Sequence, residues 1–158
     1  MSSSSIIIKK ATKEDFSEIL RVHQNSIRRV ASQDHDQAQV SAWSDHLQVQ
    51  GYLDAYQSGE EFFVAVEKSI VIGFSSIKDN TVMAVYVSEL GIGKGVGSKL
   101  YFTLENLAKE RGVKELSLTS SLTARGFYKK LGFAELEEIS HQFRAGATVR
   151  AFRMIKYL

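Results

Sequence analysis

Apolar residues along the chain recur at two periods, near 3.6 and near 2, and the switches between them divide it into elements. A short apolar run, Ile6–Lys10, reads as a strand. Thr12-Lys13-Glu14-Asp15 then supplies a helix start, a hydroxyl N-cap with an acid three residues on. Phe16, Ile19, Leu20, His23, Ile27 and Val30 follow at helical spacing and predict an amphipathic helix to about Arg29. The stretch Gln33–Gln39 is polar and irregular, and Val40–Trp43 with Leu47–Tyr56 read as one broken helix or two short ones. Three β-rich runs come next: Glu61–Glu67, Ser69–Lys78 and Thr81–Val87. The breaks at Lys68-Ser69 and Asp79-Asn80 make them a meander.

Beyond a glycine-rich stretch, Val96, Leu100, Leu104, Leu107 and Ala108 form the apolar stripe of a second clear helix, which Gly112 ends. Glu115–Thr119 is a predicted strand and Thr123–Leu131 a helix stopped by Gly132. Ala134–Phe143 and Thr148–Tyr157 are two more strands around Ala145-Gly146. The order β-α-α-β-β-β-α-β-α-β-β predicts an α/β (α+β) fold, a mixed sheet with helices on both faces. Residues 1–5 are expected to be a disordered start and 6–158 a single domain, with no repeat, linker or low-complexity segment.

Composition narrows the chemistry. The 158 residues include no Cys, which excludes a disulfide scaffold, a thiolate metal site and a cysteine nucleophile. There is no Pro either, so the 11 Gly carry the backbone punctuation. A formal charge of +2 shows no global bias toward nucleic acid or acidic membranes, and no basic stripe interleaves with aromatics. No stretch approaches the apolar length of a membrane-spanning helix, and the start lacks a charged leader, so a soluble, cytoplasmic protein is expected. The four His lack metal-ligand spacing, and Ser75-Ser76 lack a Gly-x-Ser-x-Gly context, which leaves metal and serine hydrolysis unsupported.

Four of the glycines lie within Gly91–Gly97, between a β-rich run and a helix. Such a junction lets main-chain N–H groups close on a ligand, and the helix start adds unpaired donors and partial positive charge suited to phosphate. Lys94 and Lys99 would increase that potential; the alternative is a tight glycine turn. A P-loop would need Ser or Thr after the lysine, where Gly95 stands. A dinucleotide fingerprint would need Gly at Val96 and an acid after the next strand, where Thr119-Ser120-Ser121 stands. Both nucleotide motifs fail on these specifics.

Here the sequence resembles the GCN5-related N-acetyltransferase (GNAT) superfamily. Its acetyl-CoA motif, Gln/Arg-x-x-Gly-x-Gly/Ala, is matched by Gly93-Lys94-Gly95-Val96-Gly97, with Ile92 in place of Gln/Arg and Glu89 where many members carry proline. A second signature, Asn-x-x-Ala followed by Phe-Tyr-x-x-x-Gly-Phe, is matched by Ser121-Leu122-Thr123-Ala124 and Phe127-Tyr128-Lys129-Lys130-Leu131-Gly132-Phe133, with only the Asn changed. The resemblance spans about residues 6–157. It extends to bacterial members in which a segment like Ala31-Ser32-Gln33 leads to Gln39 and Trp43. It implies the GNAT fold, a mostly antiparallel sheet of about seven strands.

The resemblance also implies acetyl-CoA, as cosubstrate, lying where the fourth and fifth strands splay apart near Val87–Glu89. The pantetheine arm would pair with main chain of Val85 and Val87 like an added strand. The pyrophosphate would rest on N–H groups from Gly93 through Ser98, so the side chain at Ile92 need not be a donor; Ser121, Ala124 and Phe127 would complete the site. An amine attacking the thioester would pass through an oxyanion held by a fourth-strand N–H and expel a thiolate. Tyr128, where many members place the general acid, would protonate it; the alternative is a Tyr packed between helix and sheet. Glu89 is the nearest carboxylate for a base, against a plain surface turn residue or a water chain.

For the acceptor, the first two helices and the final hairpin are the implied walls. His35, within Asp34-His35-Asp36, could meet a cationic amine, although a solvated loop is the plainer account. Trp43 and Tyr86 could line the cleft or pack in the core, and His23 falls on an apolar helix face. The tail carries Arg144, Arg150, Arg153 and Lys156, a solvated face or an anion-attracting one. The expectation is an acetyl-CoA-dependent N-acetyltransferase acting on a small-molecule or peptide amine by direct transfer, as a monomer or homodimer without metal. The rival is a non-catalytic acyl-CoA-binding sensor or interaction module.

Overall fold

The computed structural model describes residues 5–29, 36–45, 47–142 and 148–158. Asp34 and His35, the Ala31-Ser32-Gln33 segment, Arg144 and the Ala145-Gly146 turn lie outside the described residues. The strands are β1 (Ile7–Lys10), β2 (Glu61–Glu67), β3 (Ile70–Lys78), β4 (Thr81–Val87), β5 (Glu115–Ser121), β6 (Ala134–Gln142) and β7 (Thr148–Tyr157). The helices are α1 (Phe16–Arg29), α2 (Gln37–Ser44), α3 (Val49–Gln57), α4 (Val96–Glu110) and α5 (Arg125–Lys130).

The predicted strands are all present, and two helical details differ from the sequence expectation. The polar stretch before Val40 is already helical from Gln37. Of the two readings for the segment after α1, two short helices is the one realised: α2 ends at Ser44 and α3 starts at Val49. The Ser44 carbonyl accepts from Gln24 Nε2 at 3.3 Å, and Arg28 reaches Asp45 at 3.0 Å, so α1 side chains fix the break. Finally, α5 is shorter than predicted: Ser121 Oγ accepts the Ala124 N–H at 3.2 Å and holds a turn ahead of it.

The seven strands form one sheet in the order β1-β2-β3-β4-β5-β7-β6. Every neighbouring pair is antiparallel except β4 and β5, which are parallel and share one register pair, Thr81 with Ser117. The α1 stripe, Phe16, Ile19 and Val22, packs with Tyr52 of α3 on Phe62, Val64 and Phe74 of one sheet face. On the other face, α4 sets Val96 and Leu100 on Ala65 and Ile72, and Tyr101 and Leu104 on Ile77, Val82 and Leu116. Period-2 alternation in the strands and the apolar helix stripes therefore meet on both faces of the sheet.

The start of α1 follows the sequence signal, with the Thr12 N–H donating to Asp15 Oδ2 at 2.9 Å. Two polar links fix α4 on the sheet. Ser75 Oγ donates to the Leu100 carbonyl at 3.2 Å, and Lys156 Nζ of β7 meets Glu105 Oε1 at 2.5 Å. No helix among the described residues is long and apolar enough to cross a membrane.

Candidate active site

The parallel pair is where the sheet opens. Ser117 N–H donates to the Asn80 carbonyl at 3.0 Å at the start of the pair, and beyond Thr81 and Ser117 the strands have no further register. The edge of β4 that faces β5 is thus left without a ladder toward Val87, a ready template for an extended ligand. A cavity of about 230 Å³ fills the opening, walled by Val85, Tyr86 and Val87 of β4, Ser121 of β5 and Ala124 and Phe127 at α5. Gly97 of α4 and Ile92 close one end. Both sequence motifs, distant along the chain, meet in this crevice.

Glycine matters here for two different reasons. Gly95, the N-cap of α4, has φ +73°, a left-handed conformation that a side chain disfavours. A Cβ at Gly97 would come within 3.3 Å of the Phe127 ring, so this glycine keeps the helix start close to the crevice wall. The first helical bond of α4 runs from Lys99 N–H to the Gly95 carbonyl at 3.2 Å. The N–H groups of Val96, Gly97 and Ser98 belong to the unpaired first turn, and with the helix dipole they suit an anion. Thr123 adds a buried hydroxyl on the crevice wall, Oγ1, that has no hydrogen-bond partner among the described residues. A polar ligand would satisfy it.

Several expectations change on contact with these surroundings. Lys94 does not add an unpaired positive charge to the loop, because its Nζ meets Glu67 Oε1 at 2.8 Å. Glu89 is an exposed turn residue after β4, and it is tethered: its carboxylate ion-pairs with Arg29, and its N–H donates to Asn25 Oδ1 at 3.2 Å. Arg150 pairs with Glu138, Arg153 with Glu137 at 2.7 Å, and Lys156 with Glu105, so the described basic residues of the tail are engaged by carboxylates. Ile92 is half-exposed at the crevice mouth.

Tyr128 is buried and packs edge-on to Phe127 and Phe133, behind the crevice wall rather than among its lining side chains. Burial, reinforced by the nearby Tyr86 phenol, pushes its hydroxyl well above the ordinary tyrosine range and keeps it neutral. Tyr86 does line the crevice, and burial pushes its hydroxyl up to about 12. Its ring stacks on Phe74 and lies 4.3 Å from the His23 ring. His23 is a core histidine whose Nδ1 is 2.7 Å from the Tyr52 hydroxyl. Trp43 falls on α2, and His35 lies outside the described residues.

Ser26 and Ile27 of α1 and Thr123 also wall the crevice. Ile27 is visible in the sequence only as part of an apolar stripe, nothing local to Ser26 marks it as a site residue, and Thr123 stands at an unspecified position inside the Ser121–Ala124 signature. Among the described residues, no group of His, Asp and Glu is placed to hold a metal ion.

Comparison with known proteins bears on this geometry. The family model "Acetyltransferase (GNAT) domain" matches residues 31–158. The chain is similar to the uncharacterized N-acetyltransferase YafP of Escherichia coli, 24% identical over 135 residues, which is 85% of each chain. Among solved structures, a GCN5-related N-acetyltransferase from Rhodopseudomonas palustris is 25% identical with a TM-score of 0.90, covering 100% of this chain and 99% of that one. The PaiA N-acetyltransferase of Thermoplasma acidophilum, solved with coenzyme A, is 23% identical with a TM-score of 0.77, covering 98% and 99%.

Proposed function

Because the chain belongs to the GNAT acetyltransferase family, we propose that it transfers an acetyl group from acetyl-CoA directly to an amine in a ternary complex. The observation that carries this reading is the convergence of Ile92 and Gly97, which flank the glycine loop, with the Ser121–Phe127 segment on one crevice at the split between β4 and β5. Acetyl-CoA brings a thioester that a neutral amine can attack and a thiolate that can leave. The remaining tasks fall to this chain.

The free edge of β4 at Val85 and Val87 holds the pantetheine arm by main-chain hydrogen bonds. N–H groups from Gly93 through Ser98 take the pyrophosphate, with the start of α4 adding its dipole. Ile92 adds apolar contact at the mouth, and Lys94, held by Glu67, orders the loop. Ser121 shapes the turn through the Ala124 N–H, while Ala124 and Phe127 wall the thioester end. A β4 N–H directed into the crevice stabilises negative charge developing on the thioester oxygen.

Tyr128 stays neutral at physiological pH and sits behind Phe127, not on the crevice lining. It is within electrostatic reach of Tyr86 on that lining and is the proposed source of the proton that the leaving thiolate requires. None of the described side chains lining the crevice is a carboxylate or histidine, and Glu89 is held by Arg29. The acceptor's proton is therefore assigned to solvent. With no Cys in the chain, an acyl-cysteine route is closed.

The test combines CoA binding with CoA release across a panel of amines. Tyr128→Phe is expected to lower turnover by about a hundredfold, the lower end for a general acid, with CoA affinity near that of the parent. Unchanged turnover removes Tyr128 from the chemistry. Tight CoA binding without transfer to any amine replaces the enzyme with a non-catalytic CoA-binding module.

A further inference from the structure

Tyr86 is shared between the cofactor crevice and a second cavity, of about 430 Å³, that opens between α1, α3 and strands β2–β4. We propose that this second cavity receives the distal cationic group of the acceptor, with the Glu60 carboxylate as its counter-charge and Tyr52, Phe62, Phe74 and Tyr86 as its aromatic walls. This rests on the acetyltransferase reading above and names its substrate class: an amine carrying a second cation some way along an extended chain.

The strand register builds the cavity floor. Phe62 of β2, Ser76 of β3 and Ala84 of β4 lie in one row across the sheet, and Phe74 and Tyr86 in the next. Glu60, at the entry to β2, extends over this floor, where its Oε2 accepts from the fully buried Ser76 Oγ at 2.6 Å. No cation of the described residues lies within 4 Å of that carboxylate. The nearest electrostatic neighbour, Lys78, directs its ammonium to Ser58 Oγ at 3.5 Å.

Burial raises the Glu60 pKa against the opposing Ser76 hydrogen bond and the Lys78 charge, so the carboxylate bears a desolvation cost that an entering cation would offset. Four aromatic residues line the cavity beside Glu60, an electron-rich lining compatible with the same guest. Of the other titratable groups at the wall, His23 is occupied by Tyr52, and burial raises the Tyr52 and Tyr86 hydroxyls and keeps them neutral. Strand spacing puts Ser76 and Tyr86 roughly 8 Å apart between Cα atoms. A guest bridging them therefore needs several methylene groups between its reacting nitrogen and its distal charge.

The test compares hexamethylenediamine with hexylamine, two ammonium ends against one on the same six-carbon chain, so that only the diamine keeps a distal cation when one end reacts. CoA release is followed from acetyl-CoA, and hexamethylenediamine is titrated calorimetrically into the CoA-loaded protein. The parent chain is expected to favour the diamine at least tenfold in kcat/KM, chiefly through KM. Glu60→Gln brings the ratio close to one and weakens calorimetric binding at least tenfold. A second variant, Gly51→Leu, fills the cavity from α3, where an added Cβ meets nothing within 4 Å, and leaves Glu60 in place. It too should abolish the preference.

Equal use of both amines by the parent chain overturns the proposal, as does a diamine preference that survives in either variant. Calorimetry keeps the two readings apart. Glu60-dependent binding without transfer upholds the cavity and removes the acetyltransferase reading. Transfer to both amines without diamine binding in the cavity does the reverse.

Discussion

Glu105 is the buried charge through which α4, and with it the proposed pyrophosphate loop, is tied to β7 of the sheet beneath it. Its carboxylate is 4% exposed and accepts from the Tyr101 hydroxyl at 2.7 Å and from Lys156 at 2.5 Å, with Lys109 at 3.3 Å. Glu105→Gln keeps the shape and the acceptor for Tyr101 but leaves the Lys156 ammonium, whose side chain is only 20% exposed, without its counter-charge. Breaking a buried pair on one side costs roughly 3–5 kcal/mol. Lys156 retains some solvent, so the lower end applies, about 3 kcal/mol, which is a fall in Tm of roughly 6–12 °C for a chain of this size.

Urea unfolding followed by circular dichroism measures the loss, and the double variant Glu105→Gln/Lys156→Met, which keeps the acceptor for Tyr101, tests its cause. Removing both charges together should cost less than Glu105→Gln alone. The pH dependence has a definite sign. Burial alone would raise the Glu105 pKa, but the combined bonds from Lys156, Tyr101 and Lys109 hold it below the ordinary carboxylate value. A lowered folded pKa contributes stability that is fully present above the unfolded value of about 4.3 and is lost as pH falls through the folded one. The gap between parent and Glu105→Gln should therefore be constant at neutral pH and close in acid. A loss below about 1 kcal/mol, or a double variant less stable than the single one, would refute the pairing argument.

Two further predictions concern close approach around the crevice. Gly73→Ala places a Cβ 2.9 Å from Leu100 Cδ1 and 3.0 Å from the Tyr86 carbonyl oxygen. Backbone cannot yield as a side-chain tip can, so a loss of about 1–3 kcal/mol in urea unfolding is expected, with weaker CoA binding as the start of α4 shifts. Unaltered stability would mean that the α4–sheet spacing is looser than the geometry shows. Gly97→Leu drives a side chain toward the Phe127 ring at the crevice wall; calorimetry should find CoA affinity down at least about tenfold, near 1.4 kcal/mol, with the fold retained. An unaltered CoA affinity takes Gly97 off the cofactor surface.

Most element positions were legible in the chain because each rests on local physics. The period-2 runs Glu61–Glu67, Thr81–Val87 and Thr148–Tyr157 are strands over those same residues, and the stripe from Phe16 ends at Arg29 as expected. What stayed open or was missed has non-local causes. Whether Val40–Tyr56 is one broken helix or two depends on Gln24 and Arg28, about twenty residues upstream, reaching Ser44 and Asp45. Likewise, Lys94 looks like an unpaired phosphate-side cation until the fold sets Glu67 beside it.

The sequence by itself determined the order of elements, the glycine-rich start of α4 and the two motifs that resemble acetyltransferases, since propensity, periodicity and spacing are properties of neighbours along the chain. Tertiary structure decided what those pieces face. It parted β4 from β5 after a single register pair and brought Ser26, Ile27 and Thr123 to the crevice. It paired Glu89 with Arg29, and it placed Glu60 over the same cavity floor as Phe62 and Ser76. Each of these is a meeting of residues distant in the chain, governed by strand register and helix packing, and no local pattern encodes such a meeting.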